Sequence, residues 1–126
     1  MAAAHDTGRA GEFLASYILE TFAVEVHHVS RDGADLWCKI NDSRFVTIDV
    51  KTASEPKDTS RRSGRYRFWT PQKTAKVDYY GFVALDKQLL IITPTGDVTT
   101  TTTSIAQSNF NEGNQRRTIE EMIANC

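Results

Sequence analysis

Two alternating segments joined by a short polar loop constrain the fold of this chain more than any other feature. The alternating apolar side chains are Leu36, Cys38 and Ile40 in residues 34–40, and Val46, Ile48 and Val50 in residues 45–51. Side chains of a strand point alternately to its two faces, so both apolar sets must share one side of a sheet. The three-residue loop 41–43 therefore predicts an antiparallel hairpin with Leu36 opposite Ile48 and Ile40 opposite Arg44.

The rest of the chain predicts further helices and strands around this hairpin. Helical spacing predicts a first helix over residues 8–23 that is apolar on two sides, with Glu12 on one stripe, pointing into protein or a cleft. The other predicted elements are strands at 24–30, 65–69, 79–85 and 89–93, a short helix at 71–75 and a last helix opening at Thr118. We expect residues 1–7 to fray, 54–64 to form a mobile basic loop and 99–103 to be extended or loop. This order predicts a single α/β domain over 1–126, with a central mixed β-sheet flanked by helices.

Composition narrows the class of protein. The chain has 126 residues, of which 40% are hydrophobic and 25% charged, which excludes collagen, a coiled coil and wholesale disorder. No apolar run approaches the roughly 20 residues of a membrane span, and the N-terminus does not resemble a signal peptide. The two cysteines fit neither a disulfide framework nor a zinc site. We therefore expect a cytoplasmic location.

Positive charge is concentrated in one segment, although the formal net charge is −1. Residues 51–77 hold 8 of the 15 Lys and Arg residues and two acidic residues, so the segment carries +6 and the remainder −7. Such a separation favours a polyanionic partner, and a solvated loop is the alternative of equal weight. The basic residues are Lys51, Lys57, Arg61, Arg62, Arg65, Arg67, Lys73 and Lys76.

Charged side chains gather on the second face of the predicted hairpin. Asp49 and Lys51 project from the same face, roughly 6.5–7 Å apart along the strand. The register places Asp35 opposite Asp49, and a slip of two residues would place it opposite Lys51. Facing carboxylates repel, so the pair predicts a hard cation such as Mg²⁺ between them. Lys51 would then hold water or neutralise charge on phosphorus, and Glu12 would assist through water. A solvated acidic patch is the alternative.

These residues carry a resemblance to a nuclease superfamily. The segments are Gly11-Glu12, Gly33-Ala34-Asp35-Leu36, Ile48-Asp49-Val50-Lys51-Thr52, Val77-Asp78-Tyr79-Tyr80-Gly81-Phe82-Val83 and Ile91-Ile92-Thr93-Pro94. Over residues 8–94 the pattern resembles the PD-(D/E)xK superfamily, most of all its small stand-alone homing and phage-type endonucleases. Archaeal Holliday junction resolvases share much of it. One departure is Ala34, which stands where the motif name has proline.

The resemblance implies a restriction endonuclease-like fold and a Mg²⁺-dependent DNA endonuclease, with Mn²⁺ as a substitute. Asp35, Asp49 and the Val50 backbone carbonyl would bind the metal, Lys51 would position water and Glu12 would assist. Further DNA contacts are expected from the basic segment, namely Arg61, Arg62, Arg65, Arg67, Lys73 and Lys76, with Gln72 as an additional candidate. Because one site cuts one strand, cleavage of a duplex predicts a homodimer or a larger homo-oligomer.

Three alternatives stay open at the level of sequence. A Holliday junction resolvase would select branched DNA by shape. A catalytically inactive DNA-binding or assembly module would bind DNA without cleaving it, and an accidental acidic patch would do neither.

Two further predictions concern local structure. Trp37 shares the face of Asp35 and either lines a DNA cleft or packs under a helix. Segment 54–69 is expected to become ordered only when DNA is bound.

Overall fold

Helices and strands follow one another largely in the expected order. The computed structural model describes residues 4–31, 34–57, 64–71 and 77–125. The elements are α1 (Ala4–Thr21), β1 (Glu25–Arg31), β2 (Ala34–Asn41), β3 (Arg44–Ala53), β4 (Arg65–Trp69), β5 (Tyr79–Ala84), β6 (Leu89–Pro94), β7 (Thr102–Ala106) and α2 (Glu112–Ala124). None of the helices in this described part of the chain is long and apolar enough to cross a membrane.

The strands form one mixed sheet and one small sheet. The main sheet has the order β1-β2-β3-β5-β6, in which β3 and β5 are parallel and the other neighbours antiparallel. This confirms the predicted α/β fold with a mixed central sheet. The second sheet pairs β4 with β7, two segments far apart in sequence. The expectation that residues 54–69 order only on DNA is therefore wrong for β4, and residues 102–103 belong to a strand.

The hairpin register agrees with the prediction at one end and differs at the other. Leu36 lies opposite Ile48, as predicted, whereas Arg44 pairs with Asn41 and not with Ile40. A bulge between Lys39 and Asn41 absorbs the extra residue. Because the bulge lies at the turn, the far end of the hairpin keeps the register on which the candidate site depends.

The main hydrophobic core lies between the sheet and both helices. Its members include Ala15 and Leu19 of α1, Leu36 and Ile48 of the hairpin, Leu90 of β6 and Ile119 of α2, all fully buried. A second cluster lies on the opposite face of the sheet. There Tyr66 and Phe68 of β4 pack against Phe82 of β5 and against Phe110. The small sheet thus covers the β5–β6 part of that face.

Helix α1 differs from its prediction in extent and in burial. It begins at Ala4 and ends at Thr21, so residues 4–7, expected to fray, are helical. The prediction of two covered sides is wrong, because Phe13 and Tyr17 are 53% and 69% exposed. The helix buries one side only, through the stripe that includes Ala15 and Leu19.

Helix α2 begins six residues before the predicted start at Thr118. Asn111 caps it, accepting a hydrogen bond from the backbone amide of Asn114 at 2.8 Å. Thr118 instead lies inside the helix, where its Oγ1 accepts a hydrogen bond from the backbone amide of Ile92 at 3.1 Å. The first turn of α2 is polar, so the apolar periodicity on which the prediction relied starts later than the helix does.

Some predictions fall outside the described residues. The short helix expected at 71–75 does so except for Pro71, and residues 58–63 of the expected mobile loop do so as well. Gly33 of the nuclease-like motif and the predicted DNA-contacting residues Arg61, Arg62, Gln72, Lys73 and Lys76 also lie outside them.

Candidate active site

Asp35 and Asp49 meet where β2 and β3 run side by side. Oδ2 of Asp35 accepts a hydrogen bond from the backbone amide of Val50 at 2.8 Å, and the side chains of Asp35 and Asp49 share a hydrogen bond. Asp49 is only 4% exposed. The two carboxyl groups that the hairpin register predicted as neighbours are therefore in contact, and the backbone of β3 orients the first of them.

Lys51 completes the row on β3. Its Nζ lies 3.5 Å from Oδ2 of Asp49, and its side chain is 20% exposed. The alternation of β3 carries both residues to the same face, as predicted. An ammonium group thus lies beside the carboxyl pair with part of its surface open to a ligand.

Glu12 approaches this site from α1. Burial raises the pKa of Glu12, the charge of Asp49 raises it further, and the charges of His28 and Arg9 lower it. The charge of Glu12 in turn helps to raise the pKa of Asp35. The structure therefore brings together all four residues predicted to be catalytic, with Glu12 acting on the pair at longer range.

Helix α1 reaches the site because Gly11 lets it approach β3 closely. A Cβ atom on Gly11 would collide with Oγ1 of Thr52, at a distance shorter than any non-bonded contact. That hydroxyl is buried and has no hydrogen-bond partner among the described residues. Because Glu12 is the next residue, the contact between Gly11 and Thr52 determines how near the Glu12 carboxylate comes to the carboxyl pair.

The electrostatics of the carboxyl pair favour binding of a proton or a cation. Burial raises the pKa of Asp35 to about 7, the hydrogen bond from the Val50 amide opposes the shift, and the hydrogen bond with Asp49 and the charges of Glu12 and Asp49 add to it. Burial thus favours the protonated form of Asp35, which can donate the hydrogen bond to Asp49. A divalent cation would satisfy the same oxygens without the proton.

The donor set fits Mg²⁺ better than a metal that needs a closed cage of protein ligands. Within residues 4–31, 34–57, 64–71 and 77–125, no group of three or more His, Cys, Asp and Glu side chains is arranged to hold a metal ion. Mg²⁺ is commonly bound by one or two carboxylates, several waters and a substrate phosphate. Asp35 and Asp49 provide two such carboxylates. The ligand function of the Val50 carbonyl stays a prediction.

Two of the predicted DNA-binding arginines lie on β4. Arg65 donates hydrogen bonds from Nε to Oγ of Ser104 at 2.7 Å and from a terminal nitrogen to the Ser104 carbonyl oxygen at 3.0 Å. Its guanidinium thus ties β4 to β7. Arg67 is exposed, whereas Tyr66 and Phe68 are buried, which confirms the predicted alternation. DNA contact by either arginine stays a prediction.

The contact between Ser16 and His28 was not predicted from the sequence. Oγ of Ser16 donates to the carbonyl oxygen of Glu12 at 2.9 Å and lies 3.0 Å from Nε2 of His28. This bridge joins α1 to β1 one helical turn after Glu12. The spacing of four residues indicates that Ser16 lies on the same side of α1 as Glu12. Nothing in the sequence indicates that Ser16 contacts His28 on β1.

The fold is similar to that of a nuclease of known structure. A solved bacterial homing endonuclease, I-Ssp6803I, superposes with a TM-score of 0.70 at 14% sequence identity, covering 84% of this chain and 77% of that chain. Neither the protein-family models nor the curated proteins show a match to the sequence. The similarity therefore concerns the fold, and this chain has a nuclease-like fold.

Proposed function

We propose that this protein is a Mg²⁺-dependent DNA endonuclease of the PD-(D/E)xK type. The observation that carries the proposal is the contact between Asp35 and Asp49, with Lys51 at 3.5 Å from Asp49. It gains support from the fold shared with a homing endonuclease. Metal-dependent phosphodiester hydrolysis requires carboxylates that can hold a metal ion and a cation that offsets negative charge on phosphorus, and this site provides both.

Each residue of the site has a distinct part in the proposed reaction. Asp35, Asp49 and the Val50 carbonyl would hold Mg²⁺, with Glu12 joined through water. When bound, the ion would polarise the phosphate and lower the pKa of water. Lys51 donates hydrogen bonds that orient the attacking water and offset negative charge on phosphorus, and its contact with Asp49 keeps the amine in place.

The proposal extends to the form of the substrate and of the enzyme. The basic segment around β4 would contact DNA phosphates, and cleavage at defined sites would require further contacts with base edges. One site cuts one strand, so cutting both strands of a duplex requires two copies of the chain, related by symmetry. Sedimentation with and without DNA tests this assembly, and a monomer under both conditions would contradict it.

A cleavage assay with paired variants tests the proposed activity. Purified protein is incubated with fragments of its source genome and with a four-way junction, in Mg²⁺, in Mn²⁺ or in EDTA. We expect cleavage only with the metals, and a loss on the order of 10²–10³-fold in Lys51→Ala. Asp49→Asn should be equally impaired.

Lys39→Ala is the matched control. Lys39 lies on the neighbouring strand of the same hairpin and contacts only the exposed Asp42, at 3.5 Å, among the ion pairs seen in the described residues. This variant should cleave like the original protein. Binding of DNA without metal-dependent cleavage would contradict the endonuclease and favour an inactive module. Cleavage confined to the four-way junction would favour a resolvase.

A further inference from the structure

Within the part of the chain that the structure describes, the sheet face that carries the candidate site is only partly covered. Both helices pack on the opposite face, and the small sheet covers β5 and β6 through Tyr66 and Phe68. Over β1–β3 the described residues leave aromatic side chains exposed: Trp37 is 38% exposed and Phe45 43%. Trp37 therefore does not pack under α1 or α2, the two α-helices of the described residues.

The exposed rings form a row across three strands. Trp37 and Phe45 are stacked, with ring centroids 4.4 Å apart and an interplanar angle of 8°. His27 lies directly opposite Trp37 in the register of β1 and β2, with ring centroids 5.7 Å apart. We call His27, Trp37 and Phe45 the aromatic row. Because the rings already pack against one another, the row presents ordered aromatic surface to a ligand at little further cost in side-chain entropy.

The aromatic row borders the carboxyl pair. Trp37 and Asp35 are two residues apart on β2 and share a face, which places them roughly 6.5–7 Å apart along the strand. Thr47, opposite Trp37, stands in the same relation to Asp49 on β3. A DNA strand whose phosphate lies at the carboxyl pair would therefore have the neighbouring nucleotide within reach of the rings.

We propose that the aromatic row binds a base that has left the duplex stack beside the cleaved phosphate. This proposal rests on the proposed endonuclease function and adds that the DNA is locally unpaired beside the cleaved phosphate. Bases in an intact duplex stack on one another and leave no free face, whereas an unpaired base stacks on aromatic side chains irrespective of its identity. Lys51 on the same face of the hairpin adds positive charge suited to the backbone.

A second copy of the chain is the competing occupant of these rings. A stable interface buries about 800 Å² on each partner. A partner seated on Trp37 over such an area would also cover Asp35 and Asp49, only two residues away along each strand, and would exclude the phosphate. The continuity of the aromatic row with the carboxyl pair therefore favours a nucleotide.

Binding measurements with matched DNA probes test the proposal. The probes are a labelled duplex and the same duplex carrying a short unpaired stretch, titrated in EDTA so that both stay intact. Loss of one stacked base corresponds to about 5- to 150-fold in affinity. We expect Trp37→Ala and Phe45→Ala to lose affinity within that range for the unpaired probe and to change little for the duplex.

Trp69→Ala is the control for this experiment. Trp69 is 64% exposed and lies on β4 of the small sheet, outside the aromatic row, so its loss should leave the preference for the unpaired probe unchanged. Trp37→Phe keeps a ring and should retain most of the affinity, which separates stacking from a failure to fold. Equal affinity of the original protein for both probes, or equal losses on both in Trp37→Ala, would overturn the proposal.

Tryptophan emission gives a second readout that does not depend on a loss of binding. The chain has two tryptophans, so Trp69→Phe leaves Trp37 as the sole reporter. We expect the unpaired probe to change the emission of this variant and the duplex to leave it nearly constant. Constant emission at saturating unpaired probe would overturn the proposal. So would dissociation of an oligomer in Trp37→Ala, because the rings would then bind another copy.

The two proposals fail separately. The stacking measurements are made in EDTA and need no cleavage, whereas the endonuclease is judged by the effect of Lys51→Ala on metal-dependent cleavage. An active nuclease that binds both probes equally would retain the first proposal and exclude the second. A protein that stacks an unpaired base on Trp37 but never cleaves DNA would retain the stacking proposal and exclude the endonuclease.

Discussion

The backbone amide of Val50 donates a hydrogen bond to the carboxylate of Asp35 at 2.8 Å, across the junction of β2 and β3. One strand thereby orients the side chain of its neighbour. Val50 also lies between Asp49 and Lys51 in sequence, so the residue that holds the first carboxyl group belongs to the segment that supplies the other two charges. The geometry of the candidate site is thus part of the hairpin itself.

The first prediction concerns the pH dependence of stability. The pKa of Asp35 rises from an ordinary 3.8 to about 7 in the folded protein. Between these values the folded state keeps a proton that the unfolded state has lost, so the free energy of unfolding should fall as pH rises from about 4 to about 7. Thermal unfolding in EDTA over this range measures the effect.

Asp35→Asn is the matching variant for that measurement. The Asn carbonyl can still accept the hydrogen bond from the Val50 amide, and the side chain does not titrate. We expect its pH dependence between 4 and 7 to be flatter, and its Tm at pH 8 to exceed that of the original protein. Mg²⁺ should raise the Tm of the original protein at pH 8 and not that of the variant. Parallel pH profiles for the two proteins would refute the assignment.

The second prediction concerns the approach of α1 to the sheet. Gly11→Ala would force the new Cβ against Thr52, where it cannot fit without movement of the helix or the strand. We expect a loss of about 1–3 kcal/mol in stability from overpacking, together with a loss of activity as Glu12 moves from the carboxyl pair. Denaturant unfolding and the cleavage assay measure the two effects.

Two further variants separate the contact from a general effect of alanine. Gly8→Ala lies on the same helix with no atom within 4 Å of the new Cβ, and it should stabilise the helix by about 0.5–1 kcal/mol. Thr52→Gly removes the clashing side chain, so the double variant with Gly11→Ala should recover activity relative to Gly11→Ala alone. Additive losses in the double variant would show that the contact does not position Glu12.

The third prediction distinguishes the two arginines of β4. Arg65 is hydrogen-bonded to Ser104, so Arg65→Ala should lower stability by about 1 kcal/mol through the weakened β4–β7 pair. Arg67 is exposed, so Arg67→Ala should leave the Tm unchanged. The slope of the logarithm of the DNA-binding constant against the logarithm of the salt concentration should become shallower by about one unit. An unchanged salt slope would place Arg67 outside the DNA interface.

The fourth prediction concerns the junction of α2 and β6. Oγ1 of Thr118 accepts a hydrogen bond from the buried amide of Ile92. Thr118→Val would leave that amide without an acceptor and should cost about 1–3 kcal/mol, whereas Thr118→Ser keeps the hydroxyl and should cost less. Denaturant unfolding of both variants measures the difference. Equal losses would mean that the methyl group, and not the hydrogen bond, stabilises the junction.

The alternating pattern of the hairpin was sufficient to predict the centre of the candidate site. Successive residues of a strand point to opposite faces, so the apolar faces of two joined strands leave only registers that differ by two residues. These registers place Asp35 opposite Asp49 or Lys51, with all three residues on the same face. The bulge between Lys39 and Asn41 was not predicted, because it follows from the turn and not from the alternation.

Other features depended on contacts between distant segments. The pairing of β4 with β7 joins segments separated by the whole β5–β6 hairpin. The sequence of neither segment indicates which strand it pairs with. Thr118 resembles a helix start in its local sequence, yet it lies within α2 against Ile92. Tertiary packing selects among local preferences of similar energy, so such features appear only when all elements are in place.

The sequence by itself determined the α/β class, the hairpin and the shared face of Asp35, Asp49 and Lys51, because strand alternation is a property of adjacent residues. Only the tertiary structure decided how Glu12 joins them, since this depends on the close contact between Gly11 and Thr52. It also decided that Phe13 and Tyr17 are exposed and that neither α1 nor α2, the two α-helices of the described residues, covers Trp37. A periodic pattern shows that a face can be buried, whereas the arrangement of the other elements decides whether anything packs against it.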